Sequence, residues 1–116
     1  MSLVARYFEE NGLPTVIVGS ALDIVEYCGV PRYVYSDFPL GNPCGPPWQR
    51  ETQGAIVAAA LSLLGSARAP RTTVRTPFQW PDQGDWRARY ARVEPGERDR
   101  LLALGEERRR RRSNLD

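Results

Sequence analysis

The segment Asp37 to Pro47 reads DFPLGNPCGPP, with three prolines and two glycines in its last seven residues. Proline removes a backbone donor and fixes φ, so neither a helix nor an interior strand can run through it. It is a rigid, shaped loop. Regular structure in this chain must be built from the residues on either side of it.

Upstream, SLVARYFEENG reads as a short helix, with Leu3, Val4, Tyr7 and Phe8 as its apolar stripe and Gly12 placed to end it. Thr15 to Gly19 (TVIVG) is a β-branched run of the kind that forms a buried strand. Ser20 is placed to cap a second helix, ALDIVEYC, with Asp23 three residues on. Gly29 suits the C′ position, Pro31 forbids continuation, and Tyr33 to Ser36 (YVYS) reads as a second strand. A strand, a short helix and a strand make a βαβ unit with two parallel strands in one sheet.

Downstream, helix resumes near Trp48, with Ile56, Val57, Ala60, Leu61 and Leu64 as its stripe and Gly65 closing it. Thr72 to Thr76 reads as a third strand, and the segments after PFQWPDQGDW are polar and helical, with Leu101, Leu102 and Leu104 available to dock the last helix. The expected fold class is therefore α/β: a small parallel sheet of about three strands flanked by helices, with a polar, Arg-rich helical tail. The expected domains are 1–80, an α/β domain, and 81–116, a helical basic extension.

Composition limits the chemistry. The chain has no histidine and no lysine; all 16 basic residues are arginine. That removes the commonest general base and the commonest metal ligand, and also Schiff-base catalysis by lysine. Cys28 and Cys44 lack metal-ligand spacing, so neither zinc nor an iron–sulfur cluster is expected. There is no G-x-G-x-x-G and no P-loop, and no cofactor is expected. No apolar run reaches membrane-spanning length and the first residues lack a secretory pattern, which gives a cytoplasmic protein with no membrane partner. Net charge is +2, with residues 1–70 at −2 and 71–116 at +4. Arg108 to Arg112 adjoin Glu106 and Glu107 without interleaved aromatics, which reads as a solvated tail and not a nucleic-acid site.

In a parallel α/β sheet the loops at the carboxyl edge gather ligands, and DFPLGNPCGPP leaves the second strand there. Cys44 precedes a helix start, which favours a thiolate. Asp37 at the strand end can orient a substrate amine or act as a base. Equally, Cys44 fits as a small buried residue and Asp37 as a turn residue. Cys28, at the end of an amphipathic helix, reads as core. The stretch holding Phe78, Trp80 and Trp86 reads either as packing over the sheet edge or as a docking surface.

The strings LVARYFEENGLPTVIV and DIVEYCGVPRYVYSDFPLGNPCGPP, with Gln53 opening a helix that contains AALSLL, resemble the selenoprotein B family, the substrate-reducing subunits of glycine, sarcosine, betaine and D-proline reductases. The family pattern G-[IL]-P-T falls on Gly12 to Thr15, P-P-R on Val30 to Arg32 and F-P-[LF]-G-x-P-x-G-x-P on Phe38 to Pro47, and the likeness covers about residues 3–80. The resemblance implies a half-domain of a reductase-like fold, with a selenolate or thiolate attacking the carbon that bears the amine-derived leaving group. It implies a thioredoxin-type electron donor and a protein partner or self-association.

In that family the reactive residue lies in a Cys/Sec-x-x-Cys motif ahead of the first helix, and Met1 to Val4 hold no cysteine. The nucleophile therefore maps onto no position here. The resemblance leaves to this chain the substrate-side loop, with Phe38, Gly41, Pro43 and Gly45 as its substrate-binding residues. Two arrangements are compatible with it: a natural half-subunit whose partner carries the redox motif, or a reading frame that continues upstream through a selenocysteine codon. The other functional reading is a non-catalytic interaction or scaffold subunit docking through the 37–47 loop and the Trp80/Trp86 segment.

Overall fold

A computed structural model describes residues 1–81, 86–90 and 92–113. The order of elements is α1 (Ser2–Glu10), β1 (Ile17–Gly19), α2 (Leu22–Cys28), β2 (Arg32–Tyr35), α3 (Arg50–Ser66), β3 (Thr72–Arg75), α4 (Trp86–Tyr90) and α5 (Arg98–Ser113). The strands form one sheet, β1-β2-β3, with both pairings parallel and Val34 opposite Val18 and Val74. This is the α/β fold with a three-stranded parallel sheet that the residue pattern predicts. Among the described residues no helix is long and apolar enough to cross a membrane.

Adjacent residues of β2 point to opposite faces. Val34 packs with Phe38 and with Ile56, Ala60 and Leu63 of α3, and the edges of this core are filled by Val16, Val18, Ala67, Phe78 and Trp80. Tyr33, equally buried, faces the other side, where it meets Gly19 and the α2 region. The central strand is thus covered on both faces, which is why β2 and not its neighbours carries the fully buried residues.

Several local expectations change in three dimensions. α2 begins one residue later than a Ser20 cap would set it: its N-cap is Ala21, with no side-chain capping bond. Its far end is as expected, Gly29 taking φ 69 in the left-handed region that glycine enters without a Cβ clash. α3 starts at Arg50, after Trp48 and Gln49, and runs through Gly65 to Ser66. Its buried line is Ile56, Ala60 and Leu63: Ile56 and Ala60 of the expected stripe face the core, but Leu63 joins them while Val57 and Leu61 are exposed. α1 differs most. It buries only Ala5, and Leu3, Val4, Tyr7 and Phe8 face outward.

The inward side of α1 is held by a polar cluster. Glu9 accepts from the Thr15 hydroxyl at 3.1 Å and from the Thr15 amide, and pairs with Arg32 at 2.6 Å. Partial burial alone would raise the Glu9 carboxyl, but the Thr15 bonds and the Arg32 charge outweigh it and hold it below its usual value.

The chain divides into two compact units, Met1–Trp86 and Arg87–Asp116. In the second, α5 carries the arginine run and has no buried residue; Leu101, Leu102 and Leu104, expected as docking positions, are about half exposed. Residues 82–85 of the PFQWPDQGDW stretch lie outside the described residues.

Candidate functional site

The carboxyl ends of β1 and β2 lead into the segments that shape the candidate site. β1 ends at Gly19, followed by Ser20 and Ala21. β2 ends at Tyr35 and passes into Ser36, which is fully buried: its amide donates to the Gly19 carbonyl at 3.0 Å and its hydroxyl accepts from Thr76 Oγ1 at 2.9 Å. These bonds tie the exits of the three strands together and fix where the loop begins.

The loop is then built inward from Phe38. Its ring is buried in the core and lies tilted against Trp80 with centroids 5.6 Å apart. Two turns come next, closed by Asn42 N–H to the Pro39 carbonyl and Gly45 N–H to the Asn42 carbonyl, each 3.1 Å. Gly45, at φ 103, is buried against Thr52 and Phe38, and the Gln53 amide group donates to the Pro46 carbonyl at 2.8 Å. The loop is therefore held by α3 as well as by the sheet.

Together these elements border an open cleft of about 300 Å³ at the carboxyl edge, between Ile17–Ala21 and Val25 on one side and Leu40, Gly41 and Pro43 of the loop on the other, with Met1 and Ser2 at the head of α1 at its rim. The walls are mainly apolar. A polar group buried in them is the Ser20 hydroxyl, which has no hydrogen-bond partner among the described residues. A buried hydroxyl left without a partner costs free energy, so a small ligand able to bond it would be favoured there.

The sequence-derived site residues do not converge on one point. Gly41 and Pro43 line the cleft; Phe38 and Gly45 are buried beneath the loop and shape it from below. Asp37 is exposed and accepts from the Tyr35 hydroxyl at 3.1 Å, with the Arg75 guanidinium 5.5 Å above the Tyr35 ring. Cys44 is half-buried in the loop, and both cysteines are free thiols. Among the described residues no group of three His, Cys, Asp or Glu side chains could hold a metal ion.

Two residues of this region were not legible as site residues. Ser20 looks like a helix cap in sequence, and its actual place in the cleft wall results from where α2 starts. Trp48 is 94% exposed and has φ 66, a left-handed conformation uncommon for a large side chain. Nothing in the string PPWQ announces that conformation.

Tyr33 underlies the Gly19 end of the cleft, its ring and hydroxyl 3.1–3.5 Å from where a Gly19 Cβ would stand. Burial pushes its phenol up from 10.0 to about 12, with the Tyr35 phenol and the Glu26 and Asp23 carboxylates adding to the shift and the Ala21 backbone opposing it. Because the folded value is the raised one, the stabilisation by the neutral phenol is fully present below pH 10 and is lost as the pH climbs toward 12. Urea midpoints measured from neutral pH to that limit should fall steeply over this window in the wild type and less so in Tyr33→Phe. Parallel curves would mean that Tyr33 ionises as freely in the folded chain as in the unfolded one.

No known protein-family profile matches the chain, and no solved structure matches it. Over 78 residues it is 32% identical to the D-proline reductase subunit gamma of Acetoanaerobium sticklandii. The match takes in 67% of this chain and 32% of the relative, so the chain spans about a third of the relative's length. The chain is a distant relative of a reductase subunit.

Proposed function

We propose that this distant relative of a reductase subunit is itself a subunit, or part of one, of an oxidoreductase of the glycine, sarcosine, betaine and D-proline reductase kind. In it the chain supplies the substrate side of the site, and the redox nucleophile comes from outside residues 1–116. The observation that carries the reading is the cleft at the carboxyl edge, walled by Leu40, Gly41 and Pro43 of the loop that bears the family-like pattern.

On this reading the rigid Pro/Gly backbone holds the substrate in one orientation, which lowers the entropic part of the barrier. Phe38 and Gly45 keep the loop in place. The Ser20 hydroxyl offers one hydrogen bond to a polar group of the substrate. Asp37, which accepts from the Tyr35 hydroxyl where the loop leaves β2, attracts an ammonium group toward the loop. A selenolate or thiolate delivered at the head of α1, beside Met1 and Ser2, would enter the same cleft. The partners are the subunit that bears that nucleophile and, through it, a thiol-based electron donor of thioredoxin type. Cys44 has no assigned step.

The test is amide chemical-shift mapping of the full chain with glycine, sarcosine, betaine and D-proline. At least one should shift the amides of Ser20, Ala21 and Gly41, and Ser20→Val, which fills the cleft, should abolish the shifts. Cys44→Ser should leave them unchanged. If none of the four compounds moves these amides, while a protein partner still binds through the 37–47 loop, the chain is a non-catalytic docking subunit instead.

A further inference from the structure

The orientation of α1 is unusual for its sequence. A helix with one apolar stripe normally turns it toward the core. Here Leu3 is 74% exposed, Val4 46%, Tyr7 63% and Phe8 40%, and Leu13, just past the helix end, 54%. The opposite side faces inward: Ala5 is buried, its carbonyl accepts from the Thr15 hydroxyl at 3.3 Å, and Glu9 is bound to Thr15 and Arg32. Rotating the stripe inward would break that cluster and strand the Arg32 guanidinium, so the stripe is held outward by the unit's own polar contacts.

We infer that this face of α1 is the interface of a two-fold dimer in which α1 packs antiparallel on α1 of a second copy. The exposed stripe has the area such an interface needs. The five side chains together expose on the order of 600 Å², close to the roughly 800 Å² that each partner contributes to an interface of standard size.

The face is also self-complementary in charge. Arg6 and Glu10 stand one turn apart along the same flank of the stripe. A two-fold axis lying in the interface and perpendicular to the helices brings like flanks together with opposite polarity, so Arg6 meets Glu10 of the second copy, twice. An axis parallel to the helices would put the two Arg6/Glu10 flanks on opposite sides of the interface, and neither charge would find its counterpart there. The register that pairs these charges also sets Leu3 against Leu13 of the second copy and Phe8 against Phe8. Val4 then falls against Gly12, where a Cβ would find nothing within 4 Å, so a side chain from the second copy has room. The same stripe on an unrelated partner would need none of these coincidences.

The experiment is sedimentation equilibrium of the full chain at tens of micromolar, where the expected mass is twice the 13.1 kDa of one copy. Leu3→Glu with Tyr7→Glu changes two exposed positions and should give the single-copy mass with an unchanged far-UV circular dichroism spectrum. Arg6→Glu should weaken the dimer about tenfold, and adding Glu10→Arg should restore it, because the reversed pair regenerates the same two contacts. A wild-type chain that sediments as a monomer overturns the inference, as does a dimer that survives the double glutamate substitution. A charge reversal that Glu10→Arg does not rescue overturns the antiparallel register.

Discussion

Replacing Phe38 with alanine is expected to lower the stability of the first unit by roughly 3–5 kcal/mol, the usual cost of deleting a buried aromatic ring. The ring is 1% exposed and joins three parts of the structure: β2 through Val34, α3 through Ile56 and Ala60, and the segment after β3 through Trp80. With so few fully buried side chains in the core, neighbours have little freedom to close the cavity. A domain of this size has about 5–15 kcal/mol in all, so the loss takes a large share of it. The melting temperature should fall on the order of 15 °C. Trp48→Ala, which removes a larger ring from an exposed position at the other end of the same loop, should leave it nearly unchanged. Similar melting for both variants would mean that Phe38 is not the anchor the packing makes it.

The second large effect is expected at Gly45. Its φ of 103 lies where a side chain is strained whatever the space, and a Cβ there would stand 3.3 Å from Thr52 Cγ2. Valine adds β-branching to both problems, so Gly45→Val should cost roughly 2–3 kcal/mol. The damage should also be directional. Gly45 closes its turn through the Asn42 carbonyl, and Pro46, next in line, accepts from Gln53 of α3. Pushing the backbone there displaces Leu40, Gly41 and Pro43 from the cleft wall, while the sheet pairings, which do not involve the loop, remain. Urea denaturation should therefore show the stability loss, and amide spectra should show displaced signals for Gly41 and Ser20 with β2 and β3 in place. Unshifted Gly41 and Ser20 signals would show that the loop does not depend on this turn.

Much of the fold was legible from local chemistry. The β-branched runs at Thr15 to Gly19 and Thr72 to Thr76 gave strands because such side chains suit a pleated, covered surface. Gly29 and Pro31 marked the end of α2 because each acts on its own backbone, whatever the tertiary context. The loop could be identified for the same reason. The site was legible only as a location: the pattern F-P-L-G-N-P-C-G-P-P pointed to the carboxyl edge, but not to which of its side chains reach the cleft. Ser20 was missed because capping by serine and a cleft-lining serine leave the same mark in sequence. Trp48 was missed because a left-handed backbone on a large residue is imposed by the loop around it.

By itself, the amino-acid sequence determined the order of elements, the parallel sheet and the rigidity of residues 37–47, all of which result from φ/ψ restrictions and side-chain shape acting within a few residues. Only the tertiary structure decided which faces are buried. Hydrophobic periodicity names a stripe but not its destination. In α3 the core kept Ile56 and Ala60 of the expected stripe, added Leu63 and left Val57 and Leu61 in solvent. In α1 the ion pair between Glu9 and Arg32, residues far apart in the chain, fixed the rotation of the helix and left its apolar stripe facing out. A contact between distant residues outweighed a local pattern, because a partly buried charge without its partner costs more than an exposed leucine.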